Sequence, residues 1–346
     1  MRNPDKSRFI KAVSHEEFAE IPFFELQVDI SIAEKILAKH LPHHLLSFEL
    51  PVADLLELNF RMGNDMMFFS HIWRLGRKET KDEYGRIHYI DGVMKSPESL
   101  KKLWYPDLDH LKRRLDDVFA SIDKYGFGII CQATSAPFVA ATAMGYEDYW
   151  MNTMTASAFV HEFTKTIQEW TYREIELYLQ YPIDGIKIGS AFVTNRGAMC
   201  SPEMLEEFET SYLRKHTEIA QANDKLIFLH IDGNVQKMMP QFISIGVDIL
   251  NPIEPCGGTQ DIYEMKKKYG DQITLCGNID INGVLLNGTP QEVRQDVIEH
   301  IDRLAVGGGY VAASSHDIHQ LIPLENFYAL RDTVHDYHFN SRTLLS

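Results

Sequence analysis

The stretch Phe228-Leu-His-Ile-Asp-Gly-Asn-Val235 sets a histidine and an aspartate two residues apart at the end of an apolar run. Leu226 to Leu229 has the length and bulk of a strand covered on both faces. Side chains alternate along a strand, so His230 and Asp232 point the same way before Gly233 ends the run. An imidazole and a carboxylate converging at one strand end can hold a divalent cation or move a proton. Comparable groups follow the other apolar runs: Glu25 and Gln27, Gln132 and Thr134, Ser190, Asn251 and Glu254, Asn278 and Asp280, and Ser315, His316 and Asp317. The set is rich in oxygen and imidazole donors and poor in lysine and arginine, which argues against a phosphate-binding site.

Within that set, His230, Asp232 and His316 could together bind a divalent metal such as zinc, three ligands with an open fourth position being the catalytic arrangement. The competing reading has Asp232 bonding the loop amides of Gly233 and Asn234, with the histidines as satisfied structural groups. Glu254 and Cys256 are reserve ligands, although a lone cysteine such as Cys256 also fits a small buried residue. Asn278 and Asp280 repeat the alternate-residue pattern, and an Asx turn would explain them equally. Glu25 sits in an apolar run, where burial raises a carboxyl pKa and suits it to donate a proton; pairing with a nearby base is the alternative. Asp232, Glu25 and Asp280 are therefore the candidate catalytic residues, and Gln27, Gln132, Asn251, Glu254 and Asn278 the candidate substrate contacts. Phe23, Phe24, Tyr146 and Trp150 belong either to the core or to an apolar pocket wall.

Regular strand-helix alternation must position these groups. From about residue 120, Gly128–Gln132 reads as a strand, Tyr146–Leu179 as helical and Gly185–Gly189 as the next strand. Ser201-Pro-Glu203 opens a helix with a cap residue, a first-turn proline and a first-turn acid. Leu226–His230, Val247–Asn251, Ile273–Gly277 and Gly309–Ala313 follow as strands. The helices between and after them cover Val235–Ile245, Asp261–Tyr269, a capping-box helix from Thr289, and Leu324–Tyr337. Ile21–Leu26 and Asp65–Phe69 supply two earlier strands. Eight strands alternating with helices predict a parallel (β/α)₈ barrel of the TIM type, one domain over residues 1–346. A hairpin inserted between Arg74 and Asp107 precedes its resumption. A doubly wound open sheet is disfavoured because no Gly-x-Gly-x-x-Gly opens a helix.

Composition narrows the partners. The 346 residues carry a net charge of −15 and 45% hydrophobic residues, and the sequence pI is about 5.4. An acidic surface opposes nucleic acid and anionic membranes, and substrates with many carboxylates unless a local cationic cluster overrides it. Cys131, Cys200, Cys256 and Cys276 are widely spaced, without a Cys-x-x-Cys pair, and fit a reducing cytosol. Met1–Arg8 lacks an apolar signal region. The longest apolar stretch, Phe127–Gly145, is broken by Gln132, Thr134, Ser135 and Pro137, so a soluble cytoplasmic protein is expected.

A series of short stretches carries a resemblance. Lys6-Ser-Arg-Phe-Ile10 and Glu20-Ile-Pro22 come first, then Asp82-Glu-Tyr-Gly85, Ser135-Ala-Pro-Phe138 and Gly145-Tyr-Glu147. Ser201-Pro-Glu203, His230-Ile-Asp-Gly-Asn234, Gly246-Val-Asp248 and Asn251-Pro-Ile-Glu-Pro255 follow. Cys276-Gly-Asn-Ile-Asp280, Gly288-Thr-Pro290, Gly307-Gly-Gly309 and Glu325-Asn326 complete the series. In this order and spacing the chain resembles the uroporphyrinogen decarboxylase-like superfamily, which implies a (β/α)₈ barrel. The true decarboxylases carry an arginine-rich segment just after the first strand. Here Phe24-Glu-Leu-Gln-Val-Asp29 has no arginine. The other branch holds cobalamin-dependent methyltransferases, whose thiol-methylating members bind zinc through His-x-Cys after the fifth strand and a cysteine after the eighth. This chain is similar, with His230 at the histidine, Asp232 in place of the first cysteine and His316 near the second. A carboxylate and an imidazole in place of sulfur suit an ether or alcohol oxygen better than a thiol.

The resemblance thus implies a corrinoid-dependent methyltransferase acting on a small O-methyl donor such as an aryl methyl ether. Zinc, or a protonated Glu25, would activate the departing oxygen. A corrinoid carrier protein is the implied partner, and a homodimer is compatible with the reading. The alternatives are a decarboxylase of a uroporphyrinogen-like or smaller acid, and a non-catalytic barrel that only binds a corrinoid protein.

Overall fold

A computed structural model describes residues 2–16, 18–190 and 192–338. Seven parallel strands form one curled sheet in sequential order: β1 (Met66–Phe69), β2 (Gly128–Ala133), β3 (Gly185–Ser190), β4 (Leu226–Ile231), β5 (Ile249–Ile253), β6 (Thr274–Gly277) and β7 (Tyr310–Val311). Sequential order is what right-handed crossovers between neighbouring strands produce. The strands are buried almost throughout, as expected where helices pack on one face and side chains fill the interior of the other.

Ile21–Leu26, expected as a strand, makes only an isolated bridge, Phe23 to Ala312. Its backbone nevertheless joins the two sheet edges. The Phe24 N–H donates to the Ala312 carbonyl (3.2 Å), and the Asp65 N–H donates to the Phe23 carbonyl (2.9 Å). The architecture is therefore TIM-barrel-like, with an irregular segment where the eighth strand would stand. Pro22 supplies one reason for the irregularity, because it brings no N–H to a ladder. Asp65 replaces the missing rungs: its carboxylate accepts from the backbone N–H of Phe23 (3.1 Å) and from Arg8 Nη1 (2.8 Å) and Arg2 Nη2 (3.1 Å).

Other expectations differ from the structure at their boundaries. The Tyr146–Leu179 pattern is two helices, Tyr146–Thr155 and Ser157–Tyr178, and the helix expected over Val235–Ile245 is confined to Met239–Ser244. Between Arg74 and Asp107, Arg77–Lys81 and Ile87–Gly92 pair antiparallel as a separate two-stranded sheet. A second apolar cluster, including Trp73, Met94, Phe163 and Trp170, lies apart from the main core and backs this region. Thr289 makes the capping box, its Oγ1 accepting from the Glu292 N–H at 3.3 Å. Among the described residues no helix is long and apolar enough to cross a membrane.

Candidate active site and metal centre

The β4 register sets the site. Phe228 pairs with Lys187 and His230 with Gly189 on β3, and Lys187 pairs in turn with Gln132 on β2. Paired residues in a parallel sheet share a face, so Gln132, Lys187, Phe228 and His230 all point inward. Gly233, at φ +96°, then turns the chain away; an added Cβ would lie 2.7 Å from the Thr194 carbonyl. Glycine alone fits there, and it leaves Asp232 at the barrel mouth.

His230, Asp232 and His316 meet. Their ligand atoms lie within 4.8 Å of one another, with Asp232 Oδ1 3.4 Å from His230 Nε2 and 3.3 Å from His316 Nε2. Those two spacings match the edge of a tetrahedron with bonds of about 2.0–2.2 Å to zinc, roughly 3.4 Å. His230 Nδ1 lies 2.8 Å from Asn251 Oδ1, and the Asn251 amide nitrogen lies 3.4 Å from the Cys276 carbonyl. That orientation puts the His230 proton on Nδ1 and leaves the Nε2 lone pair facing Asp232, as an outer-sphere partner does for a metal-binding histidine. Burial, with Lys187 nearby, holds His230 neutral.

Asp232 stays ionised: burial opposes this, and the two histidines outweigh it. Its buried Oδ1 faces the Nε2 atoms of both histidines, with only a long contact to His316 at 3.3 Å. A lone pair and a carboxylate oxygen facing each other unbridged repel, so this geometry fits a cation between them. The loop-cap role does not compete for Asp232, because the Asn234 N–H donates to the Thr194 carbonyl at 2.9 Å and that of Gly233 serves Glu254. Burial works against a charged His316, and Asp232 and Asp317 outweigh it, raising its pKa to about 9. The Asp317 N–H already fills Nδ1 at 2.7 Å, however, so the one proton that fits sits on Nε2. Taking up a metal there would displace that proton.

Glu25 is fully buried beneath this cluster, and burial lifts its pKa to about 8 against two hydrogen bonds from Ser314. The Ser314 N–H donates to Oε1 (2.7 Å); Ser314 Oγ lies 2.6 Å from Oε2 and also bonds the His316 carbonyl. One hydroxyl proton cannot serve both acceptors, so a proton on Glu25 completes a chain through Ser314 to the His316 backbone. A folded pKa raised above about 4.3 means stabilisation that is full below that value and lost as pH rises through about 8. Glu25→Gln, permanently neutral and able to keep the chain, is expected to flatten the fall of stability between about pH 4.3 and 8 in denaturant titrations. A wild-type and variant difference that stays constant across that range would mean Glu25 is ionised.

The other candidates are placed as follows. Gln27 and Gln132 line a cavity of about 320 Å³ together with His230 and Asp232; the Gln27 amide bonds Asp317. Asn251 serves His230, as above. Glu254 lies near Asp232 and His316, its pKa raised by burial, and Cys256 Sγ is 3.9 Å from its carboxylate. Asn278 is turned into the structure, its amide bonding the Ile253 carbonyl and His300, both at 3.0 Å. Asp280 accepts from the Asn282 N–H at 2.9 Å, an Asx turn. Tyr146 and Trp150 pack against the second apolar cluster, while Phe23 and Phe24 lie in the main core.

Three residues of the cavity region escaped sequence reasoning. Lys187 interrupts the apolar strand Gly185-Ile-Lys-Ile-Gly189, and that interruption was the available signal. His71, just beyond β1, bonds the fully buried Glu174. Glu174 also accepts from the Thr134 N–H (2.7 Å) and Tyr178 Oη (2.9 Å). Nothing local marks a glutamate on the apolar face of a long helix as a partner for a residue some hundred positions away.

Comparison with known proteins places these observations among relatives. The model of the uroporphyrinogen decarboxylase (URO-D) family matches residues 81–337. Uroporphyrinogen decarboxylase from Pseudoalteromonas atlantica is 27% identical over 164 residues, 46% of this chain and 44% of that one. The Neisseria meningitidis enzyme of that name is 25% identical over 255 residues, covering 70% of this chain and 69% of the other. The chain thus spans under half of the first relative and about two thirds of the second. A methyltransferase from Methanosarcina mazei superposes with a TM-score of 0.72 at 16% identity, over 96% of this chain and 98% of that one. That likeness is one of fold.

Proposed function

The chain belongs to the uroporphyrinogen decarboxylase family, and from that premise we propose that it is a corrinoid-dependent methyltransferase removing a methyl group from a small O-methyl donor. The observation that carries this reading is the His230–Asp232–His316 cluster, whose His230 and Asp232 line a cavity of about 320 Å³ that also presents Phe48, Trp73 and Phe138. That volume suits a ligand of one aromatic ring rather than a tetrapyrrole. The segment after the first barrel position, Phe24–Asp29, holds no arginine for a polycarboxylate.

Zinc held by His230, Asp232 and His316 would act as a Lewis acid toward the departing oxygen, and a reduced cobalt on the carrier would accept the methyl group. The chain's own residues do the rest. The cavity walls orient the donor and exclude water, and Asn251 fixes the His230 ring. Glu25 holds a proton that reaches Ser314 and the His316 backbone; as a direct acid toward the donor it is the alternative to the metal. A carrier protein would dock over the open barrel mouth.

The test is incubation of the purified protein with an aryl methyl ether and cob(I)alamin. The expected result is the spectral change to methylcobalamin, together with zinc near one equivalent by elemental analysis. Absence of metal with chelator-insensitive turnover would move the activation to Glu25. Turnover of uroporphyrinogen in a direct assay would instead establish the second reading, decarboxylation, which the names of the relatives favour.

A further inference from the structure

A buried cation on the cavity wall is left unexplained by methyl transfer. Lys187 lies at the middle of β3 and is only 6% exposed. Its Nζ has three N–H donors and bonds Gln132 Oε1 at 3.0 Å, with the Phe68 ring centre 5.1 Å away. A neutral amide and a π face do not balance a buried ammonium. Among the described residues no carboxylate lies within 4 Å of it; the nearby acids, Asp232 and Asp317, act only through space. The other cationic groups at this cavity are engaged: Arg77 with Glu79 at 3.5 Å and the Tyr89 ring, and His71 with Glu174.

Space for a ligand adjoins the ammonium. Gly189, two residues along the same face, has no atom within 4 Å of where its Cβ would stand. Its φ lies outside the left-handed region, so backbone conformation does not demand a glycine there. The missing side chain leaves a slot bounded by Lys187 and His230. Trp73, Phe48 and Phe138 supply flat apolar walls to the same cavity.

We propose that Lys187 is the seat for a carboxylate, so that the substrate is a small aromatic monoacid whose methyl ether faces the His230–Asp232–His316 cluster. The inference rests on the reading of this cavity as the substrate site. The anion completes the ammonium's donors with a charge-assisted hydrogen bond, and the ring fills the slot above Gly189. A single seat accommodates one carboxylate, which reconciles an anionic substrate with the strongly acidic chain. Burial lowers the Lys187 pKa to about 8, which leaves it charged at neutral pH.

The experiment is calorimetric titration of the full-length protein with methoxybenzoate and, separately, with the matching methoxybenzamide, a neutral analogue of the same shape. Wild type is expected to bind the acid roughly 10- to 100-fold more tightly than the amide, the usual worth of a hydrogen bond to a charged group. Lys187→Met is expected to lose that preference, binding the acid no more tightly than the amide. Its thermal midpoint should hold or rise, since a buried charge is replaced by an apolar chain of similar length. Equal affinity for the two probes, no binding of either, or an acid preference that survives in Lys187→Met would overturn the proposal. Because binding is read without turnover, the two readings fail separately. A bound acid that never methylates cobalamin removes the methyltransferase and leaves the seat, and transfer from neutral ethers without acid preference does the reverse.

Discussion

Asp232→Ala is expected to abolish the proposed methyl transfer and the proposed zinc binding while leaving the fold nearly intact. Asp232 sits beyond the end of β4 with its side chain 46% exposed, so the core does not depend on it. Its Oδ1 loses only a long contact with His316 Nε2, at 3.3 Å. Removing it takes away the central member of the cluster, the atom 3.4 Å from His230 and 3.3 Å from His316. Two neutral imidazoles do not hold zinc as two imidazoles and a carboxylate do, and a fall in rate of about a hundredfold or more follows if the metal activates the leaving oxygen. A structural cap in the same position would cost about 0.5–2 kcal/mol and little rate. Metal content, thermal midpoint and methyl-transfer rate on one preparation separate the cases. A variant that melts lower, retains its metal and turns over normally would make Asp232 a loop residue and send the search to Glu254.

The difference between what was legible in the chain and what was not follows the range of the interactions. His230, Asp232 and His316 were legible because strand periodicity and strand-end position are local properties, and the barrel brings strand ends together whatever lies between. The cap at Ser201 and the capping box at Thr289 were legible for the same reason. Asn278 and Asp280 carried the same pattern for a different purpose: alternate polar residues at a strand end serve equally to close a turn. Lys187 was passed over because five-residue apolar runs tolerate one polar member, and only the register with Gln132 and Phe228 shows it facing inward. Pro22 was the one local signal for the irregular course of Ile21–Leu26, whose other residues are those of a strand. The other determinant, out of reach of local reading, is a carboxylate some forty residues later.

That carboxylate carries the largest expected effect on stability. Asp65→Ala is expected to destabilise the protein by about 3–5 kcal/mol, the range for removing one partner of a buried ion pair. The side chain is fully buried. It accepts from Arg2, Arg8 and the backbone N–H groups of Phe23 and Asp5, the last at 3.0 Å. Alanine would leave two guanidinium groups short of an anion and two amides unpaired. Part of the loss can be recovered, because Arg8 also bonds Glu20, which is partly exposed, and Arg2 also bonds the Ile21 carbonyl. The Phe23 and Asp5 amides have no such second acceptor. For a chain of this size the loss corresponds to a fall in thermal midpoint of roughly 4–7 °C. The damage also has a direction. The Pro22–Glu25 segment closes the ring between β7 and β1, and Glu25 hangs from it against Ser314, one hydrogen bond from the His316 backbone. Loosening this clasp therefore reaches the His230–Asp232–His316 cluster, and the proposed zinc binding is expected to weaken at temperatures where the variant is still folded. Asp65→Asn keeps an acceptor for one arginine and should lie between. A change below about 1 kcal/mol in Asp65→Ala would mean that Phe23 and Glu25 are held by packing alone, and that the irregular segment needs no buried charge to take the eighth place in the barrel.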